Sequence, residues 1–149
     1  MSKFAGVLPL FAGLGVLCGA PLAFAQEMQF RVAPIGVERG CGSRCPKAIV
    51  AEGQISHETA RAFVEFFRNN VRQPRLVNML LIHSPGGTLY GGLELGAVLR
   101  RLGTTVVVAR AGETPTGLLN GACYSACVYS LMGGIDAWSV AVDPGVPRY

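Results

Sequence analysis

Charge is scarce in this chain: 15% of the residues are Asp, Glu, Lys or Arg, against 50% hydrophobic. That balance excludes a disordered polypeptide, which needs the reverse. Histidine is scarcer still, with His57 and His83 the only two, and Lys3 and Lys47 are the only lysines. Few side chains can therefore take a proton near neutral pH or ligate a metal through nitrogen. The net charge of +4 comes mostly from scattered arginines, and Arg100-Arg101 is the only adjacent basic pair. A solvated face explains them, and no basic patch interleaved with aromatics points to nucleic acid. No Walker-type phosphate loop is present, no cofactor or metal is expected, and the chain past residue 25 has no internal repeat or low-complexity tract.

The first 25 residues read as a separate object. Lys3 gives a positive start, Phe4 to Ala20 is apolar, and Ala23-Phe24-Ala25 has the small-x-small form of a signal peptidase site. No stop-transfer charge follows, so a cleaved leader is expected and no lasting membrane span. The mature chain would begin near Gln26 in a periplasmic or secreted setting, with a net charge of +3 once Lys3 is gone.

Without Cys18, four cysteines remain: Cys41, Cys45, Cys123 and Cys127. Each pair has the spacing C-x3-C. Four cysteines could close a zinc site, but export favours disulfides and the spacing is loose for zinc. Three connectivities stay open.

Residues 26–47 hold Gly36, Gly40, Gly42 and Pro46, and read as a loop or short strand entering the domain, which spans 48–149. Ala48 to Ile55 is a β-branched apolar run, the first core strand. Ser56 is expected to cap a helix to Asn70, with Ala60, Phe63, Phe66, Phe67 and Val71 on one stripe. Leu76 to Ile82 is the next strand. Leu89 to Leu102 is a second helix with Leu95, Val98, Leu99 and Leu102 inward and Gly103 as its stop. Thr104 to Ala109 (TTVVVA) predicts a strand buried on both faces. Ala111 to Asn120 reads as a loop, Ser125 to about Met132 as a third helix, and Ala137 to Val142 as a fourth strand. The order predicts an α/β domain of repeated β-α units with a largely parallel sheet.

Two glycine turns follow strands in this order, and active residues of such sheets lie beyond the strands' carboxyl ends. One is Ser84-Pro85-Gly86-Gly87. The other is Gly121 to Gly134, GACYSACVYSLMGG. Ser125 falls where a helix begins. On local sequence alone it reads as an N-cap. A nucleophile there would gain from free N–H groups and the positive end of the helix.

Together these stretches resemble the Clp protease proteolytic subunit and the wider crotonase-like fold. In that family a strand ends in SPGG, and the nucleophilic serine follows a glycine by four residues at a helix start, as Ser125 follows Gly121. The resemblance covers residues from about Ile49 onward. It implies Ser125 as nucleophile, the N–H groups of Gly87 and Ala126 as an oxyanion hole, and a peptide or protein substrate. A homo-oligomer is compatible with it. The 111–120 loop departs from the family pattern and reads as a tolerated surface insertion. The family's base histidine would fall just past Tyr149, so the resemblance suggests a C-terminally incomplete or degenerate domain. His83, just before SPGG, is the substitute base to consider. His57 reads as a surface residue and Lys47 as remote. The competing reading is a non-catalytic Clp-like domain that binds a partner or oligomerises, with Ser125 as an N-cap. An acyl-thioester enzyme of the crotonase type has little support, with Glu94 and Glu113 the only acids near either turn.

Overall fold

The computed structural model describes residues 26–35, 41, 44–112 and 118–139. The expected leader and its expected cleavage site after Ala25 lie outside the described residues, as do Glu113 and the end of the expected fourth strand. The elements are β1 (Gln29–Pro34), β2 (Lys47–Glu52), α1 (Thr59–Asn70), β3 (Leu76–His83), α2 (Leu89–Leu102), β4 (Thr105–Ala111), β5 (Leu118–Asn120), α3 (Ala126–Gly133) and β6 (Ala137–Ser139).

One α/β sheet contains all six strands, ordered β1-β2-β3-β4-β5 with β6 also on β4. The sheet is mixed rather than largely parallel. The β2-β3, β3-β4 and β4-β6 pairings are parallel, while β1 runs antiparallel to β2 and β5 antiparallel to β4. Two residue facts produce the antiparallel pairings. The stretch read as an entry loop or short strand carries the alternation Phe30, Val32, Pro34, and it pairs residue by residue with β2 from Gln29↔Glu52 to Pro34↔Lys47. The stretch read as an insertion ends in Leu118-Leu119-Asn120, which folds back on Ala109 to Ala111.

Strand alternation splits the core in two. Ile49, Ala51, Leu80, Ile82, Val106 and Val108 face Phe63 of α1, Leu95 and Leu99 of α2 and Cys127 of α3. Ala48, Val50, Leu81, Val107 and Ala109 face the other way, with Ala33 of β1. Among the described residues no helix contributes to this second cluster, yet Val50 and Leu81 are fully buried. The sheet curls to cover them. Arg31 on β1 donates to the carbonyl of Ala111 at the end of β4, 3.4 Å away, and Glu52 sits between Arg31 and Arg110 at 3.7 and 3.5 Å. Val106 and Val108 are buried on one face of the TTVVVA run and Val107 and Ala109 on the other, as its composition predicts.

The helices follow their stripes with two differences. Val71 is exposed rather than inward. Ser56 organises the turn ahead of α1 instead of capping it: its N–H donates to Thr59 Oγ1 (2.8 Å) and its Oγ accepts from Glu58 N–H.

Helix α3 lies on α2 at a distance only small residues allow. A Cβ on Gly92 would stand 2.3 Å from the Ala126 carbonyl oxygen, and one on Gly96 would stand 2.6 Å from that of Tyr129. A Cβ on Gly133 would meet the backbone of Gly96 in turn. The buried Ser130 hydroxyl fills the remaining acceptor by donating to Gly92 O (3.0 Å). Gly96→Val should therefore push α3 off α2 and cost ~1–3 kcal/mol, read as a lower urea midpoint. A loss within about 0.5 kcal/mol, the range of an ordinary surface change, would contradict this packing.

Candidate active site

The candidate site is assembled at the carboxyl ends of β3 and β4. Beyond His83 the chain turns, and Ser84 clasps the segment before α3. Ser84 N–H donates to Ala122 O (2.7 Å) and Tyr124 N–H donates to Ser84 O (3.2 Å), a parallel bridge centred on Cys123. The Ser84 hydroxyl is fully buried and accepts from Gly86 N–H at 3.1 Å, which folds the SPGG turn. Ile55, just past β2, holds the other side of that turn: its N–H donates to Gly86 O (2.8 Å), and its carbonyl accepts from Thr88 N–H (2.9 Å).

Both glycines of the turn are required by space. Gly87, at φ 148°, passes so close to Ile55 that a Cβ would overlap its carbonyl oxygen. Gly86, at φ 100°, faces the serine itself. A Cβ there would lie 2.9 Å from Ser125 Cβ and 2.6 Å from the Tyr124 carbonyl oxygen. Sequence reasoning chose Gly87 as a donor and gave Gly86 no role. Gly86 is the residue whose missing side chain lets the two turns meet.

Ser125 is not an ordinary N-cap. Its backbone stands at φ 51°, ψ −122°, and its side chain makes no capping bond. A helix cap has extended dihedrals and bonds the N–H groups of the first turn. Thr88 at the start of α2 shows that arrangement in the same chain, with φ −75°, ψ 133° and Oγ1 accepting from Gly91 N–H (3.2 Å). A positive φ in a residue with a Cβ costs of order 1–3 kcal/mol and is held by its surroundings. The first turn of α3 is closed without the serine side chain, by Cys127 N–H to Tyr124 O and Val128 N–H to Ser125 O. Ser125 is exposed, and its hydroxyl has no hydrogen-bond partner among the described residues. The sharp turn from strand end to helix leaves the hydroxyl exposed and, among the described residues, unengaged.

The two expected oxyanion donors are also unspent. Among the described residues neither the Gly87 nor the Ala126 N–H donates to a protein acceptor. For Gly87 the reason is the bridge to Ile55, which uses the groups on either side of Gly87 and leaves its own N–H turned away. Ala126 is the first residue of α3, where N–H groups have no partner inside the helix.

The candidate base is differently placed. His83 accepts the Ala122 N–H on Nδ1 at 2.9 Å. An imidazole that accepts on one nitrogen while neutral carries its proton on the other, so His83 acts as a backbone clamp between β3 and the Ser125 segment. His57 is nearer than its sequence position suggests, because α1 and α2 both start at the same end of the sheet as Ser125. Its ring lies 5.8 Å from that of Tyr90. The Glu94 carboxylate one turn on, as a hydrogen-bond acceptor and then as a charge, holds the Tyr90 phenol above its ordinary value of 10.0. Gly91 faces Ser56 while Gly92 faces Ala126, so the first turn of α2 stands between the His57 segment and Ser125. A cleft of about 580 Å³ between α1 and α2 is lined by residues including His57, Arg61, Glu94 and Arg101, not by Ser125.

The cysteines pair within each C-x3-C. Cys41 with Cys45 and Cys123 with Cys127 sit at disulfide distance, their Cα atoms 5.0 and 5.2 Å apart. Among the described residues no group of three or more His, Cys, Asp and Glu could hold a metal. Two disulfides fit an oxidising compartment. Among the described residues no helix is long and apolar enough to cross a membrane.

Relief of the dihedral strain at Ser125 is measurable. Ser125→Gly should stabilise the fold by ~1 kcal/mol, because glycine removes the Cβ penalty at φ 51° while adding some unfolded-state freedom. Calorimetry or urea unfolding reads it, and a loss of stability would mean that Ser125 is an ordinary cap after all.

In comparison with known proteins, no family model, no curated protein and no solved structure matches this chain.

Proposed function

We propose that Ser125 is the nucleophile of a Clp-like serine hydrolase site that transfers acyl groups from peptides, with the N–H groups of Gly87 and Ala126 as its oxyanion donors. The observation that carries this reading is the backbone of Ser125, φ 51° and ψ −122°, with an exposed and unpartnered hydroxyl. Strain of that kind is retained where it serves a site. In such a reaction Oγ attacks the carbonyl carbon, its proton leaves to a base, and the carbonyl oxygen takes negative charge between the two N–H groups. Removing one donor of that kind typically costs ~10²–10³ in rate.

The base is the weak member. His83 is committed through Nδ1 to Ala122, and using it would break the clamp. A serine hydroxyl without a base is a poor nucleophile near neutral pH. That observation favours a second reading, a Clp-like domain that binds a partner or a second copy of itself. Leu93, Tyr129 and Met132, all exposed, line a shallow depression of about 310 Å³ between α2 and α3 that suits such a role.

A fluorophosphonate probe separates the two. The 149-residue chain should label slowly at Ser125, label faster when imidazole is added as an external base, and lose all labelling in Ser125→Ala. Absence of labelling at any imidazole concentration would remove the hydrolase reading and leave the binding domain.

A further inference from the structure

Cys123 and Cys127 bracket Ser125 symmetrically, two residues on either side. Their bridge is not needed to join distant parts of the chain, since it links residues only four apart in sequence. Its entropic effect on the unfolded state is accordingly at the small end of what disulfides supply. What it does constrain is the turn itself. The two Cα atoms are 5.2 Å apart, inside the range a disulfide permits. Between them lie Tyr124, Ser125 and Ala126. With φ 51° and ψ −122°, Ser125 is close to the mirror image of an extended residue, so an ordinary cap conformation there would reverse the hand of the turn between the two cysteines.

Both ends of the bridge are anchored. Cys127 is fully buried in the helical core cluster, and Cys123 is fixed between the two hydrogen bonds to Ser84. A rigid anchor on each side and a short covalent link leave the middle residue little choice of φ.

We infer that the Cys123–Cys127 disulfide is a positioning brace that holds Ser125 at positive φ, and that reducing it lets Ser125 relax into an ordinary N-cap. The consequence for reactivity rests on the hydrolase reading; the conformational claim does not. A dithiol supplies the chemistry. One thiolate attacks a bridge sulfur to give a mixed disulfide, the second displaces it, and two electrons and two protons end on Cys123 and Cys127 while the dithiol becomes a cyclic disulfide. In the relaxed state the serine Oγ would accept from the first-turn N–H groups of α3, so the hydroxyl would no longer face outward and free.

The test uses the oxidised wild-type chain, Cys123→Ala/Cys127→Ala, and Cys41→Ala/Cys45→Ala as the control bridge. NMR couplings that depend on φ are read at Ser125, with the amides of Leu80 to Ile82 as the check that the sheet is folded. The brace predicts positive φ in wild type and in the control variant, and negative φ in the Cys123/Cys127 variant. Positive φ retained without that bridge overturns the inference. Wild-type protein reduced with dithiothreitol under native conditions is a second route to the same state, for use if the variant fails the sheet check. A stability cycle gives an independent reading. Ser125→Gly should raise the urea midpoint when the bridge is intact and leave it unchanged or lower it when the bridge is absent; equal shifts in both backgrounds overturn the inference. Fluorophosphonate labelling is followed in parallel. A φ change with no labelling in any form sinks the hydrolase reading and leaves the brace standing, whereas labelling at an unchanged φ does the opposite.

Discussion

Ser84 is the hinge pin of this structure. Its N–H and carbonyl grip Ala122 and Tyr124 on a segment nearly forty residues downstream, and its buried hydroxyl folds the turn that follows. Removing that clasp would separate the end of β3 from the start of α3. The unusual backbone of Ser125, the close approach of Gly86 and the outward N–H groups would then lose their common frame. The His83–Ala122 bond reinforces the same joint from one residue earlier. Side chains of two residues that look like candidate chemistry, a serine and a histidine, are thus used to build the site.

Helix α3 is set from two directions. Strand pairing at Ser84 fixes where it starts, and the glycine face of α2 fixes how deep it lies. Gly92, Gly96 and Gly133 allow backbone-to-backbone contact, and the buried Ser130 hydroxyl finds its partner in the Gly92 carbonyl across that contact. A helix of eight residues has little stability of its own, so its orientation is almost wholly a product of these contacts.

Much of this was legible in the sequence. The spans of α2 and β3, the inward stripe of Leu95 and Leu99, and the doubly buried TTVVVA run follow from period and composition, because they answer to local burial. The strand β1 was legible only as one of two alternatives and β5 was read as a loop, for a common reason. One is glycine-flanked and the other is three residues long and exposed, so each gains its strand character from the partner it pairs with rather than from its own pattern. At the site, SPGG and Ser125 stood out by spacing. The role of Gly86, the clamp made by His83 and the dihedral angle of Ser125 depend on tertiary approach, and only the glycine itself left a trace. The spacing of Gly92 and Gly96 was a signal for close helix packing that periodicity alone passes over.

The account turns on whether the backbone at Ser125 is held in a strained elbow with two free donors beside it. A high-resolution crystal structure of the oxidised protein tests this most directly. It should show Ser125 at positive φ near 51°, and the N–H groups of Gly87 and Ala126 converging on one ordered water or anion. A Ser125 in the extended region, with Oγ accepting from the N–H of Cys127 or Val128, would contradict it.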